Sequence, residues 1–399
     1  MCLNNIMVVF DKGRAVFKHG PEDFIVEEVQ LDGKISEISS LMSAFENAVV
    51  DFGNLNVNDR RDFIMFDLEK INIDHLSAMS ELSEKIKKHP HEIGYGGSKD
   101  KVAWTCQRIS VFNPDMEKIK VFSHPGIILK NFRWGKHKIK IGDLKGNRFR
   151  VTLRNLDGAA LKVLSRIRNT EYIPNLFGMQ RFGSVRNNNF QIGKLILKGK
   201  YKEAIFAYLT GYGDKEGKEV RDAKRKLKEE KNIISAKGYF PKELHMEHRI
   251  IEYLGNNKNY FLGAIGMIGE KVLLIMCQSV QSRIFNEIIE RAMERGVASN
   301  TDSLVIPGYD VGNSKNKFAE IEEEILKEND LTWEDFRNSD IPFLSLKGAE
   351  RKAFLRVRDL EIVTEEDEIF GPAKKIVMSF VLDSGSYATT FLEYFFELE

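Results

Sequence analysis

The sequence predicts an α+β protein in which a strand-rich domain is interrupted by a mostly helical one. Three observations point there. The chain has 399 residues, too many for one ordinary core. Strand patterns crowd its first 155 residues and return near its end. Between them, after Lys200, helical spacing dominates.

The elements follow in order. Residues 23–31 (DFIVEEVQL) and 61–69 (RDFIMFDLE) read as strands. Leu76, Met79, Leu82 and Ile86 fall at helical spacing and predict one amphipathic helix ending before His89-Pro90. A glycine-rich turn (Gly94, Gly96, Gly97) leads into a strand over 104–112. Residues 148–153 alternate, with Phe149, Val151 and Leu153 on one face and Arg148, Arg150 and Thr152 on the other. Residues 157–168 read as a helix with Asp157 near its N-cap. Helical patterns then cover 201–209, 218–231, 243–254, 281–295 and 315–328, and strands return at 353–363 and 374–382. A last helix over 387–397 should bury Phe391, Tyr394 and Phe395.

Three scattered cysteines (Cys2, Cys106, Cys277) form no paired framework, which predicts a reducing cytoplasm without disulfides. MCLNNIMVVF lacks a basic start and does not read as a signal peptide. The apolar run 272–277 is too short to span a bilayer. Net charge is +1, but it is unevenly spread. Residues 130–154 hold nine Lys/Arg and one acid; residues 155–200 hold eight and two, so this block carries 8 + 6 = +14. Such a block fits a phosphate backbone. The alternative is a basic face balanced by acids folded beside it.

Asp100 carries the most chemistry. It lies between Lys99 and Lys101, after the glycine turn and before a strand. Adjacent cations favour an ionised carboxylate, which on a tight loop can act as nucleophile or base. A phosphate-binding loop is excluded, because Asp100 stands where a Ser or Thr would hold magnesium and Lys99 stands where GxGxxG needs glycine. The pairs His89/His91 and His245/His248 lack a third ligand at zinc spacing, so no metal is assigned. NLFGMQRFG (175–183) interleaves Phe177 and Phe182 with Gln180 and Arg181, a mixture suited to a bound base and its phosphate. Taken alone, a buried turn explains it as well. KHGPEDFIV from Lys18, SGSYAT from Ser384 and LVIPG from Leu304 are weaker signals.

In this order KHGPEDFIVEE, GSKDKVAWTCQ from Gly97, HKIKIGDLKGNRF from His137, NLFGMQRFG and SGSYAT resemble the TruD family of tRNA pseudouridine synthases. VIPG and RKAFLRVRDL from Arg351 fit later blocks. The resemblance spans almost the whole chain. It implies a catalytic domain on a mixed, mainly antiparallel sheet (1–200 and 351–399) and an inserted, mostly helical α/β TRUD domain (201–350). It implies isomerisation of a uridine in tRNA, typically position 13 of the D arm, with Asp100 as the essential catalytic residue and Lys18 as its partner. Asn175 and Phe177 would line the site; Phe24, Lys99, Gln180 and Arg181 are further expected substrate contacts. Lys101, Lys136, Lys138, Arg148 and Arg150 are expected on the RNA backbone. The chain departs from the family pattern at Cys106, where a polar residue is commoner, and in its GYGGS loop. No cofactor, nucleotide or membrane is implied, and a monomer is the default. A non-catalytic tRNA binder or chaperone on the same fold is the rival reading, and the intact aspartate loop argues against it.

Overall fold

A computed structural model describes residues 12–39, 45, 50–53, 55–56, 59–183, 185–258, 260–312 and 316–399. Cys2 lies outside them. The chain forms two compact units, one from Val9–Ile173 with Leu355–Glu399, the other from Pro174–Phe354.

The first unit is built on a sheet. Its strands are β1 (Gly13–Phe17), β2 (Phe24–Val29), β3 (Phe63–Ile71), β4 (Ile93–Tyr95), β5 (Trp104–Phe112), β6 (Ile127–Gly135), β7 (Gly146–Leu156) and β8 (Tyr172–Pro174). After the second unit come β11 (Phe354–Glu366), β12 (Lys374–Asp383) and β13 (Phe396–Leu398). The order is β6-β3-β5-β2-β7-β12-β11-β8, with β4 beside β5 and with β1 pairing both β7 and β13. Most neighbours are antiparallel; β2 with β5 and β1 with β13 are parallel. The sheet is therefore mixed and mainly antiparallel.

The alternation in β7 does what its sequence predicts. Phe149, Val151 and Leu153 are buried with Phe24, Met378 and Phe380, under α3 (Gly158–Arg168) and α11 (Ala388–Phe395). Truncating a ring such as Phe380 to alanine here would cost about 3–5 kcal/mol. A second cluster joins Phe66, Leu68, Ile109 and Val111 to α1 (His75–Ile86), with α2 (Met116–Lys120) alongside. Both longer helices start on an aspartate. Asp74 accepts the Ser77 amide at 3.0 Å and Asp157 the Ala160 amide at 2.7 Å, caps of the kind worth about 1 kcal/mol.

Two details depart from expectation. Leu76 is 73% exposed; His75 and Ala78 take the buried face of α1 with Met79, Leu82 and Ile86. The last helix stops at Phe395, because residues 396–398 leave it to pair with β1.

The second unit holds α4 (Asn189–Leu197), α5 (Tyr201–Thr210), α6 (Lys218–Glu230), α7 (His245–Asn256), α8 (Phe261–Gly266), α9 (Glu270–Glu294) and α10 (Ala319–Glu328), with a two-stranded antiparallel sheet of β9 (Ser303–Ile306) and β10 (Ala349–Lys352). The run 272–277 is the opening of α9, a central helix that buries Leu273, Cys277, Val280, Ile284, Phe285 and Ile288. This unit begins at Pro174, before NLFGMQRFG, rather than after Lys200. The reason is α4, which packs backbone to backbone on α9. A Cβ on Gly193 would lie 2.0 Å from the Met276 carbonyl oxygen, so only glycine permits the approach. Among the described residues no helix is long and apolar enough to cross a membrane.

Candidate active site

Parallel pairing explains how two distant residues meet. Ile25 of β2 sits opposite Trp104 of β5, so the segments entering both strands lie side by side. One carries Lys18, the other Asp100. The Lys18 ammonium stands 3.7 Å from the Asp100 carboxylate. Asp100 keeps 58% of its side chain exposed, whereas Lys18 keeps 20%. Lys18 adopts the left-handed backbone region (φ 58°), a conformation costing a lysine about 1–2 kcal/mol. Its ammonium lies 4.0 Å above the centre of the Phe24 ring and 5.1 Å from that of Phe17. Burial holds Lys18 below the usual lysine range, and the Asp100 carboxylate opposes that shift. Phe24 itself is 2% exposed; it supports the ammonium from beneath and offers no face to a substrate.

The loop that presents Asp100 is gripped at its backbone. Lys70, fully buried at the end of β3, donates to the Asp100 carbonyl at 2.6 Å and to the Ile73 carbonyl at 2.7 Å. Burial pulls Lys70 down to about 8, against the attraction of Asp100. Lys99 points inward and pairs with Glu28 at 3.0 Å, both buried, so it is a loop anchor and not the expected substrate contact. Glu28 also accepts the Arg108 amide at 3.2 Å. Gln107 donates to the Gly97 carbonyl at 3.2 Å. Gly94 is forced by a close approach, since a Cβ there would lie 2.3 Å from the Ile139 carbonyl oxygen. Behind the loop, His75 is 5% exposed against the Tyr95 ring, with neither ring nitrogen hydrogen-bonded. Burial, with Lys70 and Lys99 nearby, pushes it down to about 4, so it is neutral at pH 7.

The NLFGMQRFG residues gather in the helical unit. Asn175 is 4% exposed and spends its whole side chain on the chain itself. Its amide donates to the Lys352 carbonyl at 2.9 Å, and its oxygen accepts from Arg351 at 2.5 Å. Of the two tasks open to this residue, contacting a base edge or fixing the loop, these bonds fit the second. Asn286 brackets Phe177, accepting its amide at 2.8 Å and donating to its carbonyl at 3.0 Å. The Phe177 ring is half-buried, edge-on to Phe285 at 5.4 Å, with the guanidinium of Arg351 at 4.3 Å and that of Arg181 at 5.5 Å. Arg181 also donates to Gln278 at 3.1 Å. The Gln180 side chain lies outside the described residues.

Much of the basic block is neutralised by acids from elsewhere. Arg148 pairs with Glu27 at 2.7 Å and Glu37 at 2.9 Å. Arg154 is buried against Asp23 and Asp367, and half-buried Lys130 pairs with Glu69. Arg148 is thus a sheet residue rather than a free phosphate contact. Lys138 donates to the His91 carbonyl. Lys101, Lys136 and Arg150 stay exposed, without an ion-pair partner among the described residues. Lys70, Asn286 and the role of Arg351 escape a reading of the sequence. The one available signal for Lys70 was the charge-dense DLEK inside an otherwise apolar strand.

The family model of TruD, tRNA pseudouridine synthase D, matches residues 10–304 and 299–395. Over 396 residues the chain is 31% identical to "Probable tRNA pseudouridine synthase D 1" of Methanocaldococcus jannaschii, covering 96% of this chain and 95% of the relative. It is 29% identical over 341 residues to "Probable tRNA pseudouridine synthase D" of Methanopyrus kandleri, covering 82% and 84%. A crystal structure of the TruD protein from Methanosarcina mazei superposes with a TM-score of 0.77 at 25% identity, covering 98% of this chain and 95% of that one. With a match of this length, on the fold just described, the chain belongs to the TruD family.

Proposed function

We propose that this chain isomerises uridine to pseudouridine in tRNA, at position 13 of the D arm, with Asp100 as the catalytic residue. The observation that carries the reading is the exposed Asp100 carboxylate 3.7 Å from the Lys18 ammonium, on a loop clamped by buried Lys70. The names of the relatives support the reaction. In it uracil leaves C1′, turns over and rejoins the ribose through C5, with no net gain or loss of atoms. Asp100 would act at the ribose, either attacking C1′ or removing the 2′ proton. Both roles use a charged, accessible carboxylate, and the ammonium lies against it. A target base stacked in folded RNA must first be extracted, at a cost of a few kcal/mol.

The sheet unit is read as the catalytic domain and the helical unit as the inserted TRUD domain. Phe177 is proposed to stack on an RNA base, with Arg181 on the backbone and Asn175 fixing the segment. Lys101, Lys136 and Arg150 are the proposed phosphate contacts of the sheet unit, so affinity should fall with salt. Free, buried Cys106 and Cys277 accord with action in a reducing cytoplasm.

Mapping pseudouridine by carbodiimide-stop sequencing in unmodified tRNA incubated with the protein tests the reading. A new stop at position 13 is expected. Tight tRNA binding with no stop at any uridine would favour a non-catalytic binder.

A further inference from the structure

Within the helical unit, α4, α5 and α6 surround an open cavity of about 800 Å³, which none of the motifs above reaches. Pockets for small ligands span about 300–1,000 Å³. Lys202, Lys228 and Lys231 line it; all three are exposed, and none has an ion-pair partner among the described residues. Glu203 supplies the one lining carboxylate, leaving the free lysines in excess. Arg186 also lines the wall, but Glu216 holds it at 3.0 Å and Glu247 at 3.1 Å. Fully buried Lys224 joins the same two carboxylates at 3.1 and 3.7 Å and donates to the Gly211 carbonyl at 3.0 Å. Two cations thus balance two anions, which makes that wall neutral and fixed. The attraction for an anion comes from the three lysines.

The rest of the lining is aromatic and amide. Phe206 and Tyr212 are half-buried in the wall, and exposed Gln191 on α4 brings a carboxamide. Ammonium groups for a phosphate, ring faces for a base and an amide for its edge together complement a nucleotide. We propose that this cavity binds a nucleoside monophosphate unit, its base on Phe206 and Tyr212 and its phosphate on the lysines. The unit is either an unpaired nucleotide of bound RNA or a free nucleotide. This binding site is independent of the isomerase reading.

The test uses the full chain in two arms. One measures binding of an unmodified tRNA transcript across a salt series, the other binding of uridine and adenosine 5′-monophosphates by calorimetry. Wild type is compared with K202A/K228A/K231A, Phe206→Leu and Gln191→Ala, all first checked for native thermal unfolding. Losing a base–aromatic stack of about 1–3 kcal/mol predicts roughly 5- to 150-fold weaker binding for Phe206→Leu in at least one arm. In the tRNA arm the lysine variant should also flatten the log–log salt slope by about 0.7 for each phosphate no longer neutralised. Weakening confined to the tRNA arm assigns the site to RNA; weakening in the nucleotide arm assigns it to a free nucleotide. Gln191→Ala replaces Phe206→Leu as the probe if that variant does not fold. Unchanged binding in both arms overturns the proposal. So does weakening with the lysine variant alone, which would leave only a charged surface.

Discussion

Asp100 in the sheet unit leaves 58% of its side chain in solvent, whereas Asn175 in the helical unit is 4% exposed. Both sit in the most distinctive motifs of the chain, yet they use their chemistry in opposite ways. Around Asp100 the backbone is held and the side chain is left accessible: Lys70 grips its carbonyl and Lys99 anchors the loop to Glu28. Around Asn175 the side chain is itself the clamp, tying the segment to Arg351 and Lys352. A polar motif residue can therefore mark either the reacting group or the frame that orders one, and burial separates the two.

That contrast predicts a large loss of stability where the side chain is the frame. Asn175→Ala would remove one hydrogen bond each from the Arg351 guanidinium and the Lys352 carbonyl and should destabilise the protein by about 2–4 kcal/mol, read by denaturant unfolding. If its unfolding midpoint matches wild type, Asn175 is not a clamp and the comparison fails. The sheet unit should answer to pH instead. His75 titrates near 4 when folded and near 6.5 when unfolded, so its contribution is fully present above pH 6.5 and is lost as pH falls towards 4. The loss should reach about 2–3 kcal/mol and should be absent in His75→Phe. Parallel stability curves for the two proteins between pH 7 and 4 would remove His75 from the account.

Lys70→Met should loosen the loop without touching the carboxylate. A misplacement of about 1 Å can cost about 100-fold, so turnover should fall roughly 10- to 100-fold with tRNA affinity kept. A selective loss of affinity would instead make Lys70 an RNA contact. The smallest effect separates two neighbours on β7. Arg150→Gln should reduce the salt slope of tRNA binding by about 0.7, one phosphate contact, while ion-paired Arg148→Gln should leave it unchanged. Equal slopes for both would show that ion pairing does not decide which arginine meets RNA.

Strands β2, β3, β5, β7, β11 and β12, the alternation of β7 and the Asp157 cap were legible because each is a local pattern, whereas β6 and the Asp74 cap went unread. The pairing of Lys18 with Asp100 came from a family resemblance; nothing local announces that β2 and β5 run parallel. Lys70 was missed because the strand pattern ends at Glu69, one residue short, and a lysine there reads as a solvated end. Helix α4 was missed because Gly193 breaks its pattern, although that glycine is what lets it press against α9. Arg148 was misplaced because Glu27 and Glu37 lie more than a hundred positions away along the chain and reach it only through the sheet.

In the proposed reaction the Asp100 carboxylate does the chemistry and its neighbours hold it in place. Single-turnover pseudouridine formation by Asp100→Asn, with enzyme saturating over tRNA, tests it most directly. The expected rate is about 100- to 10,000-fold below wild type, with tRNA affinity within about twofold. Product formed at a rate near wild type, by a variant that binds tRNA normally, would contradict it.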